Sequence, residues 1–125
     1  CMTADAALIE KLYHTGQPWN VSVIAQACAV AAANEPDWAA ETAKRIAEER
    51  KFLSDGLSAH GLQVFPGEAN FLLFRSEDTK LYEKLAEHGI MIRNCDNYRG
   101  LSTGFYRVAV KSREASEKLL EALEP

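Results

Sequence analysis

Apolar and polar positions follow two different periods along this chain, and the change comes near residue 62. Before it the spacing is helical. Leu8, Ile9 and Leu12 mark one side of a short helix from Ala6 to Tyr13, with Thr3 or Asp5 as its N-cap. Gly16 and Pro18 end it, because glycine caps and the residue before a proline is pushed out of the helical region. Val21 to Ala33 carries no charge and is rich in alanine. A helix apolar nearly all round is buried on several sides, so this one calls for a covering body. Asn34-Glu35-Pro36-Asp37 breaks the chain and starts a further helix, from about Asp37 to Ala59. Its expected stripe is Ala39, Ala43, Ile46, Ala47, Leu53 and Leu57, with Glu41 and Arg45 on the solvated side.

After residue 62 the pattern shortens toward alternation. Gly61 to Phe65 and Asn70 to Phe74 read as strands joined by a Pro66-Gly67-Glu68 turn. A helix follows over Thr79 to Glu87, stopped at His88-Gly89. Two more strands then carry arginines, and Ser112 caps a last helix whose inward residues are Ala115, Leu119, Leu120 and Leu123. The order β-β-α-β-β-α predicts an α+β two-layer sandwich. Its sheet is small, antiparallel or mixed, of three to four strands, with helices on one face and a long interdomain helix before it.

The stretch from Gly89 to Val110, GIMIRNCDNYRGLSTGFYRVAV, holds the candidate chemistry. By period 2, Ile90 and Ile92 face one way and Met91 and Arg93 the other. Phe105, Arg107 and Ala109 share a face, with Tyr106, Val108 and Val110 opposite. Arg93 and Arg107 thus sit where alternation would put buried apolar side chains. A guanidinium stays charged, and burying it without an anion is costly. Two readings stand at this point. Each arginine reaches solvent or pairs with a nearby carboxylate, or the two converge as a bidentate clamp on an anionic small molecule. They converge only if their strands are neighbours.

Composition narrows the classes. The chain has 125 residues, 47% of them hydrophobic, and a net charge of −4, which fits one domain with a real core and gives no electrostatic footprint for nucleic acid or an anionic membrane. No apolar run approaches the roughly 20 residues of a membrane span, and no signal peptide is visible. Cys1, Cys28 and Cys95 show no metal-ligand spacing, so reduced thiols and a cytoplasmic location are expected.

The remaining candidates have bland readings beside the functional ones. Arg99 adds a third cation or is solvated, and solvation is the expectation. Tyr98 lies in the same loop, and Trp19 is either core or the rim of a pocket, beside Asn20. Cys95 has no histidine close behind it and reads as an ordinary loop cysteine. His14, His60 and His88 stand near helix ends, where a partly positive ring suits the dipole. Every lysine falls on a charged helix face or near an element end, unlike a desolvated Schiff-base amine. A glycine-rich phosphate loop, HExxH and Gly-x-Ser-x-Gly are all absent.

Taken together, QPWNVSVIAQ (17–26), ANFLLF (69–74), GIMIRNC (89–95) and GFYRVAV with the following KSREASEKLLEAL form a familiar series. The chain resembles the C-terminal, small-domain part of a class I/II, fold-type I pyridoxal-phosphate aminotransferase. The resemblance is nearest to the histidinol-phosphate aminotransferase and threonine-phosphate decarboxylase branch, which would tie it to histidine or cobalamin biosynthesis. It implies that Arg107 holds the substrate α-carboxylate and that Arg93 helps bind a substrate phosphate; Trp19, Asn20, Tyr98 and Arg99 stand beside them only as candidate site-lining residues. It also implies that the Schiff-base lysine and the residues around the pyridine ring lie upstream of Cys1. Residues 1–33 would then be a helical connection from a missing large cofactor-binding domain, and residues 34–125 the small domain. The parent would be a cytoplasmic homodimer using pyridoxal 5′-phosphate, and this chain alone would be inactive. The alternatives are an RNA-recognition-like module and a small amino-acid-binding regulatory α+β domain.

Overall fold

The computed structural model describes residues 4–16 and 21–124, and its contacts divide the chain into two units, Cys1–Ala39 and Ala40–Pro125. In the first unit, α1 (Ala6–Thr15) starts at Asp5, whose carboxylate accepts the Ala7 N–H at 2.9 Å. The expected Thr3 cap lies outside the described residues, as do Trp19 and Asn20. α2 (Val23–Ala33) is capped by Ser22, which accepts the Ala25 N–H at 3.1 Å. Neither helix buries a residue in this chain, and Leu8, Leu12, Val23, Ile24 and Val30 all stand exposed. α3 (Pro36–Ala59) begins in this unit and continues through the next.

The second unit is built on a sheet of β1 (Gln63–Phe65), β2 (Phe71–Arg75), β3 (Arg93–Asn94) and β4 (Phe105–Ala109) in the order β1-β2-β4-β3, every pair antiparallel. α4 (Leu81–Glu87) joins β2 to β3, and α5 (Arg113–Glu121) follows β4. Alternation decides which side chains go inward. Leu72 and Phe74 of β2, Tyr106 of β4 and Ile92 before β3 meet Leu53 and Leu57 of α3, Leu81 and Leu85 of α4, and Leu119 of α5. Each such side chain contributes about 1.5–3 kcal/mol on burial. The helices of this unit therefore bury their apolar residues against one face of the sheet, as expected.

Two details differ from the sequence reading. Ala43 and Ala47 of α3 are exposed, so its buried side is the narrower Leu53–Leu57 stripe with Ile46 half-buried. Alanine has too little apolar surface to draw a long helix inward along its whole length. β3 is also only two residues long, because only Arg93 and Asn94 pair with β4.

Polar contacts lock the frame. Arg113 donates to Glu49 at 2.8 and 3.0 Å and lies 3.7 Å over the Phe52 ring, tying α5 to α3. Arg50 donates to the Glu68 and Ala69 carbonyls at 2.8 and 3.1 Å, pinning the β1–β2 turn. Gly104 enters β4 at φ +94°, and a Cβ there would lie 2.6 Å from the Ser76 carbonyl oxygen, so this position requires glycine.

Candidate functional site

The sheet face opposite the core belongs to the alternate positions. Gln63 and Phe65, then Phe71, Leu73 and Arg75, then Phe105, Arg107 and Ala109, and finally Arg93 all point there, because their neighbours face the helices. Within this unit no helix buries apolar residues against it. Arg93 and Arg107 are thus not in the buried apolar positions the sequence suggested: Arg93 is exposed and Arg107 half-buried, on the face opposite this unit's core. The alternation was read correctly, but the face it defines is not the core face.

The register brings the two arginines together. Arg93 pairs directly with Arg107 across β3 and β4, and Leu73 flanks Arg107 on the other side. Like charges directly opposite in a ladder destabilise it. Among the described residues neither arginine forms an ion pair with a carboxylate. Aromatic faces hold them instead. The Arg107 Cζ lies 4.9 Å from the Phe71 ring centre and the Arg93 Cζ 5.7 Å from that of Tyr98, while Arg93 also donates a long bond of 3.4 Å to Asn97. A guanidinium held by a ring face instead of a carboxylate keeps N–H groups available for a carboxylate or phosphate.

The loop after β3 folds back on itself. The Cys95 N–H donates to the Phe105 carbonyl at 2.9 Å, Asp96 N–H to the Asn94 side-chain oxygen at 3.1 Å, and Tyr98 N–H to the Cys95 carbonyl at 3.0 Å. These turns place the Tyr98 ring against Arg93. The Cys95 side chain is buried, and burial pushes its thiol upward against the opposing pull of Arg107 and Arg93, so it stays protonated at neutral pH. That is the chemistry of an ordinary buried cysteine. Arg99 is exposed, with no ion pair among the described residues. Of the expected site residues, then, Arg93, Arg107 and Tyr98 come together, and Arg99 stands on the same loop.

Sequence reasoning missed two residues of this face. Arg75 lies two positions beyond Leu73, its Cζ 6.0 Å from the Phe105 ring centre, and forms no ion pair among the described residues. Phe71 stacks under Arg107. Both were findable, since they continue the alternation of the ANFLLF run outward from Leu73.

The chain's own residues do not fit the role of a covalent cofactor anchor. A Schiff-base lysine needs a desolvated amine, and Lys11, Lys44, Lys51, Lys80, Lys84, Lys111 and Lys118 are all exposed. The described residues also hold no cluster of groups suited to a metal ion, and no helix among them is long and apolar enough to cross a membrane.

Comparison with known proteins bears on this face. The model of the family described as aminotransferase class I and II matches residues 1–123. The chain is 34% identical over 125 residues to a threonine-phosphate decarboxylase of Salmonella typhimurium, covering 98% of this chain and 34% of that enzyme. It is 33% identical over 117 residues to a histidinol-phosphate aminotransferase of Nitratidesulfovibrio vulgaris, covering 92% of this chain and 31% of that one. The crystal structure of the histidinol-phosphate aminotransferase from Clostridium acetobutylicum superimposes with a TM-score of 0.85 at 33% identity, over 94% of this chain and 36% of the other. The chain spans about a third of the length of these relatives.

Proposed function

The chain belongs to the class I and II aminotransferase family, and on that premise we propose that it is the substrate-binding small domain of an enzyme that transaminates or decarboxylates an amino-acid phosphate. The observation that carries this reading is the direct pairing of Arg93 with Arg107 on the sheet face opposite this unit's core, without a carboxylate partner among the described residues. Two adjacent unneutralised guanidinium groups cost stability in the free chain, and a bound anion offsets that cost. Arg107, half-buried and central, is assigned to the substrate carboxylate. Arg93, exposed at the edge with Tyr98 and Arg99 on its loop, is assigned to the phosphate.

The family depends on pyridoxal 5′-phosphate, which when bound supplies the electron sink for carbanion chemistry. The residues of this chain contribute binding and orientation. By fixing the carboxylate, Arg107 sets which bond of the substrate stands ready to break, and so bears on transamination against decarboxylation. Under the same proposal residues 1–33 connect to a cofactor-binding domain, residues 34–125 are the small domain, and the enzyme is a cytoplasmic homodimer.

An RNA-recognition role is the weaker reading. Base stacking needs free ring faces, whereas Phe65 and Phe105 stack on each other at 5.7 Å and Arg107 lies over Phe71.

The test is Arg107→Ala in the intact enzyme. Losing a charge-assisted clamp costs about 2–5 kcal/mol, so the KM for the amino-acid substrate should rise at least tenfold while cofactor content stays unchanged. Unchanged substrate kinetics would remove the assignment.

A further inference from the structure

We propose that Phe71 is a positioning residue for Arg107: its ring fixes the plane of the guanidinium so that the fork meets the substrate carboxylate ready-oriented. The proposal rests on the reading of Arg107 as the carboxylate clamp and adds a residue that works through it.

An arginine on an open sheet face has many rotamers, and binding an anion in a fixed geometry then requires it to lose them. A carboxylate neighbour would restrain it, but would also occupy the fork. A ring face restrains it differently. The cation sits on the π-cloud, and the N–H groups, which lie in the guanidinium plane, stay unused. The Arg107 Cζ is 4.9 Å from the Phe71 ring centre, within cation–π range, and no carboxylate among the described residues competes for it.

The local register explains how this contact forms. Phe71 pairs with Ala109 and Leu73 with Arg107, so Phe71 and Arg107 are diagonal neighbours on one face. Diagonal positions are within reach of long and aromatic side chains. The residue directly opposite Phe71 is alanine, which leaves space above the ring for the arginine to fold into. A larger side chain at Ala109 would take that space.

Phe71 itself stands on a fixed backbone. The Val110 N–H donates to the Asn70 carbonyl at 2.9 Å, immediately before the strand. Just upstream, Arg50 holds the Glu68 and Ala69 carbonyls at 2.8 and 3.1 Å. The ring therefore projects from a segment anchored both to β4 and to α3. It buries only part of its surface, with 38% still exposed, so the core does not account for an aromatic at this position.

The experiment is calorimetry on the intact enzyme with two probes: phosphoserine, and ethanolamine phosphate, which keeps the phosphate and amine but lacks the carboxylate. Phe71→Leu should weaken phosphoserine binding about two- to fivefold, the range of one partly exposed cation–π contact, and leave ethanolamine phosphate unchanged. Phe71→Tyr keeps the ring face and should bind both probes as the native enzyme does. Native phosphoserine affinity in Phe71→Leu would overturn the proposal, as would equal weakening of both probes, which is what general damage to the fold produces. Arg107→Ala is measured alongside. If Phe71→Leu is native-like while Arg107→Ala has lost phosphoserine, only the positioning role fails. If Arg107→Ala also binds natively, the clamp assignment fails and the positioning role with it.

Discussion

A double-mutant cycle on Arg93 and Arg107 would measure the repulsion that the candidate site holds. The register places the two residues directly opposite one another, without a carboxylate between them among the described residues. Two unit charges on the order of 7 Å apart repel by about 0.6 kcal/mol in bulk water and about 1.2 kcal/mol at half its dielectric constant. Each single change to glutamine also removes a stacking contact, Arg93 from Tyr98 and Arg107 from Phe71. Because the two rings are different, those losses cancel in the cycle and the pairwise term survives. Urea unfolding of the native chain, Arg93→Gln, Arg107→Gln and the double variant should give an unfavourable coupling of about 0.5–1 kcal/mol at low salt. Raising salt from about 0.01 M to about 1 M shortens the screening length from roughly 30 Å to roughly 3 Å, and the coupling should then vanish. Millimolar phosphate at low salt should stabilise the native chain more than either single variant, by linkage. A coupling of zero at low salt, or one indifferent to salt, would refute the claim that this pair is held under repulsion for an anion.

Two further outcomes test the frame around the site. Gly104→Ala combines a left-handed backbone with a Cβ 2.6 Å from the Ser76 carbonyl oxygen, so urea unfolding should show a loss of about 2–4 kcal/mol; a loss below about 1 kcal/mol would mean the strand shifts freely. The hydrogen bonds from Arg113 hold the Glu49 carboxyl below its ordinary value. A depressed carboxyl contributes stability above its unfolded pKa and loses it as pH falls through the folded one. The native chain should therefore unfold later in urea than Glu49→Gln at neutral pH, with the difference closing as the pH falls through the lowered folded-state range of this carboxyl; a constant difference would show that the pair's charge contributes nothing.

Most of the fold was legible because the patterns that specify it are local. Asp5 and Ser112 accept the first-turn N–H groups of their helices, and Leu72, Phe74 and Tyr106 share one face of the sheet as their alternation requires. The arginine pair was legible as a possibility dependent on strand adjacency, which the sequence leaves open. Two things went unread for different reasons. Period 2 says which residues share a face but not which face is covered, so Arg93 and Arg107 were expected at buried positions. Phe71 and Arg75 went unremarked because a phenylalanine and an arginine at strand ends look ordinary until the register sets one against Arg107 and the other against Phe105. Arg50 was similarly invisible. Its partners are backbone carbonyls 18 and 19 positions away, and no side-chain pattern announces them.

The division of labour along β2 and β4 has an evolutionary consequence. Within each strand, residues that hold the fold and residues that face the open side alternate one by one, so a single substitution reaches one role without the other. Under the proposed function, exchanging Arg93 or Tyr98 would alter what the surface recognises and leave Leu72, Phe74 and Tyr106 packed as before. A lineage can then try new ligands by point changes while its fold remains constant. Relatives named for two different reactions, a decarboxylase and an aminotransferase, share this chain at similar identity, as such a separable surface permits.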